Sequence, residues 1–408
     1  MKIRLNGEFC CYLLICLIIS FDIIKSAILK IIRNIVVLPG HLDTIILYVI
    51  YIIVIGFALR YIVTRINRKC ALFTCLVFIL LFVSIIRIGG YENYYISLIR
   101  DVAFCMLAFF TIRSLRDINQ LYRLLRYTAF FITISMLIVF GSGLQDTSYS
   151  MYYGYAILPA AVISCTAVFN LSNITTFGRI LHIVNFVVAT GLCVMAGARG
   201  PLLSIAIIMI LQIFVSEYDL KKRLFYILCL CVLSLILILF MDTIMFMLSD
   251  YASNKNFSMR LFNKFFEGEM LSDSGRIRFV ENGFNGLNSS LINMILGVGI
   301  GNDRIYIAKS FGYLDPTGYY PHNLFVEFLL QFGYLFGGII IILFISMTIL
   351  AIKRSYKTPY GKLLWIFLGI GVIPLMVSGS YISNAYFFCY LAICINILEG
   401  TSLFVKDG

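Results

Sequence analysis

The sequence predicts an all-α, polytopic membrane protein: a bundle of about twelve transmembrane helices with one large outer loop. Three observations lead there. Of 408 residues, 61% are hydrophobic and only 13% are charged, where soluble domains sit near ~45–50% apolar and ~25% charged. The mean hydropathy is +0.97. Apolar runs near the ~20 residues that cross a bilayer as helix fill most of the chain, and they lack the alternation of a membrane β-barrel.

The spans fall at roughly 9–25, 42–59, 71–88, 97–112, 127–143, 152–170, 180–197, 201–216, 224–246, 323–352, 362–377 and 384–398. Lys2 and Arg4 precede the first run in the manner of a signal peptide. No small-x-small cleavage site follows and a second span comes soon after, so an uncleaved first helix is expected. The long span 323–352 invites a bend near Gly333 or Gly337-Gly338.

Loop charge orients the chain. The stretches "RYIVTRINRK" (60–69), "RSLRDINQLYRLLR" (113–126), "KKR" (221–223) and "KRSYKTPYGK" (353–362) share one side if every span crosses. The positive-inside rule makes that side cytoplasmic, with both termini there. The basic "KSAILKIIRN" (25–34) breaks the pattern; it is an interfacial helix, or the first spans are miscounted. Residues 249–322 form the large extracytoplasmic loop, with seven basic and seven acidic residues. There is no internal repeat or low-complexity tract, so 1–408 reads as a single polytopic membrane domain.

Composition excludes several classes. The net charge of +12 suggests nucleic acid, but the charges collect in short loops between spans, so no nucleic-acid partner is expected. The twelve cysteines lie almost all in spans, with no C-x-x-C and none in 249–322. They read as small apolar residues rather than a disulfide framework or zinc site. There is no D-x-D pair, no acidic cluster suited to Mg²⁺ and no P-loop, which argues against metal-dependent use of a nucleotide sugar.

Four short stretches carry candidate chemistry. In "GARGP" (197–201), Arg199 sits at a tight outer turn between two spans. It is either a snorkelling anchor or an ionisable group with a function at the membrane edge. In "LSDSGRIRFVENGFNGL" (271–287), Ser272 or Asp273 suits a helix cap. At ~100° per residue Ile277, Val280, Phe284 and Leu287 share one face, and Arg276 falls on that side while Arg278 falls opposite. Arg276 then needs an anionic partner, unless it too snorkels. "GVGIG" (297–301) lacks the spacing and the βαβ setting of a dinucleotide site. A bend that brings backbone N–H groups toward a ligand is the simpler reading.

The fourth stretch is "GYLDPTGYYPHNLFVEFLLQFG" (312–333). Pro321 suits the first turn of a helix, which would contain His322 and Asn323. The helix dipole disfavours imidazolium there, so His322 is expected to be neutral and able to accept a proton. A merely hydrogen-bonded interfacial histidine is the plain alternative. Asn323, Glu327 and Gln331 repeat every four residues, a polar stripe that must face the bundle interior.

Taken in order, these motifs resemble the O-antigen polymerase and O-antigen ligase superfamily of bacterial surface-polysaccharide enzymes. The resemblance spans about 190–340. It rests on Ala198-Arg199-Gly200, on Arg276, on the bend Gly297, Gly299 and Gly301, and on His322, Asn323, Glu327 and Gly333. One departure is "TSYSMYYGY" (147–155), where many relatives, ligases especially, carry an Asn-rich turn.

The resemblance implies a glycosyltransferase of the bacterial inner membrane, without cofactor or metal. Its substrate would be a glycan on undecaprenyl diphosphate. Arg199 and Arg276 would pair with the departing diphosphate, and His322 would be the general base for the acceptor hydroxyl. Direct displacement would invert the anomeric centre. Asn323, Glu327 and the three bend glycines would support the site. Membrane lipids and a chain-length regulator are the implied partners. A polymerase is expected, joining a growing glycan to a lipid-linked repeat unit. The alternatives are a ligase that moves the glycan to lipid A core, and a flippase of lipid-linked sugars. The flippase should show pseudo-symmetric halves, which the sequence lacks.

Overall fold

The computed structural model describes residues 7–35, 42–66, 68–141, 150–169, 175–215, 241–254, 275–355 and 360–399. It also describes a few single positions within 221–239 and 263–267 and at 358. The ninth expected span (224–246), the caps Ser272 and Asp273, the terminal segments and part of the basic stretches 221–223 and 353–362 lie wholly or largely outside the described residues. Among the described residues the regular structure is helical throughout.

Six helices are long and apolar enough to cross a membrane: Gly7–Ile31, Glu92–Ser114, Ile118–Gly141, Tyr152–Phe169, Thr176–Met195 and Leu324–Ser355. Shorter apolar helices cover Tyr48–Val63, Ala71–Arg87, Arg199–Phe214, Tyr360–Met376 and Ala385–Leu398. Leu335, Ile342 and Leu343 are more than half exposed along the Leu324–Ser355 helix, an apolar surface suited to lipid rather than water. The basic stretch 25–34 simply continues the first helix, Gly7–Ile35. Of the described cysteines, all nine are free and seven are buried, as apolar side chains would be.

The chain forms two compact units. One comprises Tyr12–Gly56 and Asp117–Ser272. Its centre is the antiparallel pair Ser150–Phe169 and Thr176–Met195, packed on Ile118–Gly141 and Arg199–Val215. The other comprises Met1–Cys11, Phe57–Arg116 and Asp273–Gly408. There Glu92–Ser114 packs on Ala385–Leu398, and three short helices, Arg276–Leu287, Leu291–Leu296 and Asn302–Ser310, lie on the first turns of Leu324–Ser355.

One joint organises this second unit. The Leu324–Ser355 helix breaks at Gly333, whose backbone is left-handed and extended (φ 78°, ψ 173°). The break frees the carbonyls of Leu330 and Gln331. These accept the N–H groups of Val298 (2.9 Å) and Gly299 (3.1 Å). Gly297, at φ 78°, presses directly on the Gln331 carbonyl, so no side chain fits there. The Ile300 N–H goes to Ser84 Oγ (2.8 Å). Arg87 holds the Gly297 carbonyl (2.8 Å) and Tyr94 the Gly301 carbonyl (2.8 Å). A bend was expected, but its purpose differs. The N–H groups of 298, 299 and 300 are spent on protein acceptors, so they do not point at a ligand.

The last expected pair of spans is also less regular than hydropathy suggests. Helix Tyr360–Phe367 passes into a π turn at Leu368–Val372 and a 3₁₀ turn at Ile373–Met376. Pro374 lacks an N–H and disrupts the α ladder. An irregular strap follows, with Gly379 at φ 87°, until Asn384 caps Ala385–Leu398 by accepting the Phe387 N–H (3.0 Å).

The joint makes a test. Gly297→Ala forces a side chain onto a backbone carbonyl in a left-handed conformation, at a cost of at least about 1–3 kcal/mol. Gly338 has open space around its α-carbon, so Gly338→Ala gains up to about 1 kcal/mol of helix propensity. Thermal unfolding in detergent should show a clear loss for the first and none for the second. Equal melting would rule out the joint as a structural constraint.

Candidate functional site

The site grows from the start of the broken helix. Asn323 is its N-cap: the side-chain oxygen accepts the N–H groups of Phe325 (3.0 Å) and Val326 (3.1 Å). The helix proper begins at Leu324. His322 and Pro321 therefore precede it rather than occupying its first turn. The cap also consumes N–H groups that an anion would otherwise use. Asn323 Nδ2 donates to the Met376 carbonyl (3.1 Å), tying the helix start to the 3₁₀ turn that leads into the strap.

His322 is held in an unusual way. It is the one described non-glycine residue with positive φ, at 57°. Such strain persists only where the surroundings over-determine it. The imidazole is half-buried against two rings: Tyr320 at 4.3 Å between centroids and Phe279 at 5.6 Å, nearly parallel at 17°. Its Nδ1 is buried without a hydrogen-bond partner among the described residues. Burial, and then the charge of Arg276, lower its pKa to about 4. The ring is neutral as expected, but through desolvation and a neighbouring cation rather than a helix dipole.

Arg276 opens the Arg276–Leu287 helix directly after Gly275, which is left-handed at φ 83°. Its Nη1 donates to the Val377 carbonyl of the strap at 2.8 Å. The packed face of this helix is rotated from the expected one. Ile277 is 57% exposed, while Gly283 and Gly286 are buried against Leu330 and Tyr306. Glycines give the closest approach, and they set the face more strongly than the isoleucine. Arg276 stays on the packed side, although both it and Arg278 are solvent-exposed. The burial contrast expected between the two arginines is absent; the difference is that Arg276 grips the strap.

The polar stripe does face inward. Glu327 and Gln331 are each 1% exposed. Glu327 accepts the Ser380 hydroxyl on one oxygen and the Tyr381 N–H on the other (3.2 Å). Gln331 donates to Asp303 (2.9 Å) and accepts the Tyr381 hydroxyl (2.5 Å). Arg304 Nη2 donates to Ser380 Oγ (2.7 Å). Asp303 and Arg304 are almost wholly buried, and burial pushes the Asp303 carboxyl above its usual range against the pull of Arg304. Asp303, Arg304, Tyr320, Ser380 and Tyr381 were not anticipated as part of the site. The charged pair "DR", one residue past the glycine bend, was the available signal.

Arg199 belongs to the other unit. There it opens the Arg199–Val215 helix, half-buried, after Gly197 turns the chain at φ 69°. The tight turn expected of "GARGP" is present.

Residues 184–342 match a protein-family model described as O-antigen ligase. The matched segment, less than half of the chain, is similar to that family. Its members are membrane glycosyltransferase-like enzymes, and the apolar helices agree with a multi-pass membrane protein. No curated protein matches the chain. The matched segment contains Arg199, Arg276, the glycine bend and His322, whereas the strap with Ser380 lies beyond it.

The low imidazole pKa sets a pH dependence of stability. Above about pH 6.5 the ring is neutral folded and unfolded. Between 6.5 and about 4 the unfolded ring takes a proton that the folded one refuses, so stability falls as pH is lowered through that window. His322→Gln should therefore flatten the melting temperature between pH 7 and 4 relative to wild type. Parallel pH curves for the two proteins would remove the assignment.

Proposed function

We propose that the protein is a polysaccharide polymerase that transfers a glycan from undecaprenyl diphosphate to a lipid-linked repeat unit. The outer face of the inner membrane is the proposed place, with both termini cytoplasmic. The observation that carries this reading is a neutral, desolvated histidine placed beside an arginine at the mouth of a membrane helix. The family that the segment resembles supplies the reaction class.

In the proposed step, an acceptor hydroxyl oxygen bonds to the anomeric carbon of the donor sugar. The bond from that carbon to the diphosphate oxygen breaks, and the diphosphate leaves with the electron pair. The hydroxyl proton passes to His322. Arg276 meets the charge that grows on the diphosphate. In-line attack inverts the anomeric centre. Asn323, Glu327 and the glycine joint position His322 and the strap. For Arg199 a diphosphate contact is proposed on the resemblance of its turn alone.

The match to a model described as O-antigen ligase favours transfer to lipid A core as the second reading. Purified protein with lipid-linked repeats and no lipid A core separates the two: chain growth supports a polymerase, and no product until core is added supports a ligase. Under either reading His322→Gln should lower kcat about 10²–10⁴-fold. Arg276→Ala should cost about 10²–10³-fold, and Arg278→Ala little. Equal, wild-type rates for the Arg276 and Arg278 variants would sink the phosphate role. Orientation has its own check. Ser310→Cys should react with an impermeant thiol reagent in intact cells and Lys353→Cys should not; the reverse pattern would move the site to the wrong side.

A further inference from the structure

Arg304 has no role in the reaction as written, yet it is costly to keep. It is 7% exposed, makes no ion pair among the described residues, and leaves its Nε without a hydrogen-bond partner. Burying a cation without a direct ion pair is costly, and the nearby Glu327 and Asp303 carboxyls offset part of that cost. Two contacts define where it sits. Its Nη2 donates to Ser380 Oγ at 2.7 Å, and that hydroxyl is already committed to the Glu327 carboxylate. The guanidinium lies over the Tyr320 ring, 5.6 Å from the centroid.

Tyr320 is the ring that meets His322 at 4.3 Å. The order of contact is therefore Glu327, Ser380, Arg304, Tyr320, His322. The carboxylate fixes the hydroxyl, the hydroxyl fixes the guanidinium, and the guanidinium is attracted to the ring face. The ring bears on the imidazole. His322 needs such support, because its backbone is left-handed and its Nδ1 has no described hydrogen bond to orient it.

We propose that Arg304 is a positioning residue that holds the His322 imidazole through the face of Tyr320. The inference rests on the reading of His322 as the base. It predicts that a cation under Tyr320 matters, that the ring matters and its hydroxyl less, and that both act only while His322 is present.

The test uses the full chain in nanodiscs. The substrate is the lipid-linked repeat unit extracted from cells that lack this protein. Arg304→Met should lower kcat about 10–100-fold and change the donor KM less than threefold. Arg304→Lys, which keeps a cation near the ring, should recover most of that loss. Tyr320→Leu should behave like Arg304→Met, and Tyr320→Phe like wild type. The Tyr320 pair leaves the buried cation in place, so it decides the question if Arg304→Met does not fold.

Two further measurements separate this proposal from the reading beneath it. In a His322→Gln background Arg304→Met should add no further loss. The chain has only three histidines, so ¹⁵N imidazole spectra isolate the His322 signal, which Arg304→Met or Tyr320→Leu should shift or broaden. A near-normal rate for His322→Gln overturns the base and this proposal with it. A dead His322→Gln beside an unmoved His322 signal overturns this proposal alone. So does an equal loss of kcat and rise of KM in Arg304→Met that lysine does not relieve.

Discussion

The break at Gly333 is the constraint on which the second unit depends. An unbroken helix would keep the Leu330 and Gln331 carbonyls for its own ladder. Broken, it offers them to the N–H groups of Val298 and Gly299, as the edge of a sheet would. That exchange docks the glycine bend, and the bend launches the Asn302–Ser310 helix from Gly301. Asp303 and Arg304 then enter the interior at the height where Glu327 and Gln331 arrive from the other side. The buried Asp303 and Arg304 are thus carried in by one helix that stops and restarts.

The second consequence concerns buried polarity. A carboxylate, an arginine and an aspartate are expensive in a nearly dry interior unless their lone pairs and protons are matched. Glu327 has both oxygens engaged by the strap, at Ser380 and Tyr381. Gln331 supplies the adaptor: its amide nitrogen serves Asp303 and its oxygen accepts Tyr381. The strap is thereby stapled to two helices at once, while its start at Val377 meets Arg276 and the turn before it meets Asn323. An irregular segment that packs its Tyr381 ring on Phe328 and Phe387 is also held by polar and charged groups from elsewhere in the chain.

This division explains what was legible in the sequence. Hydropathy located the apolar helices, because burial in lipid or core needs only composition. The Gly333 break, the inward stripe and the "GARGP" turn were readable, since each is encoded within a few residues. The start of the helix lies three residues later than Pro321 suggests, at Leu324, because Pro321 suits a first turn and Asn323 a cap, and only the cap bonds distinguish them. The seam of the Arg276–Leu287 helix was rotated, because glycines at 283 and 286 allow contacts that apolar counting overlooks. The burial of Asp303 and Arg304 was not readable. Their partners Gln331 and Ser380 lie 28 and 76 positions away, and a balanced charge count in a long loop looks like a solvated surface.

On the proposed reading, the environment of His322 carries a further implication. With a pKa near 4, the ring is a poor base for an alcohol while the site is empty of anion. Two causes hold the pKa down, burial and the charge of Arg276, and a diphosphate would cancel the second. As the bond to the diphosphate oxygen breaks, negative charge accumulates beside the same arginine, and the imidazolium becomes easier to form. Base strength is then coupled to the presence and departure of the donor. A hydroxyl arriving alone meets a weak base, and one arriving beside a loaded carrier meets a stronger one. The coupling needs the imidazole to keep its place through the charge change, and two rings and a strained backbone provide that.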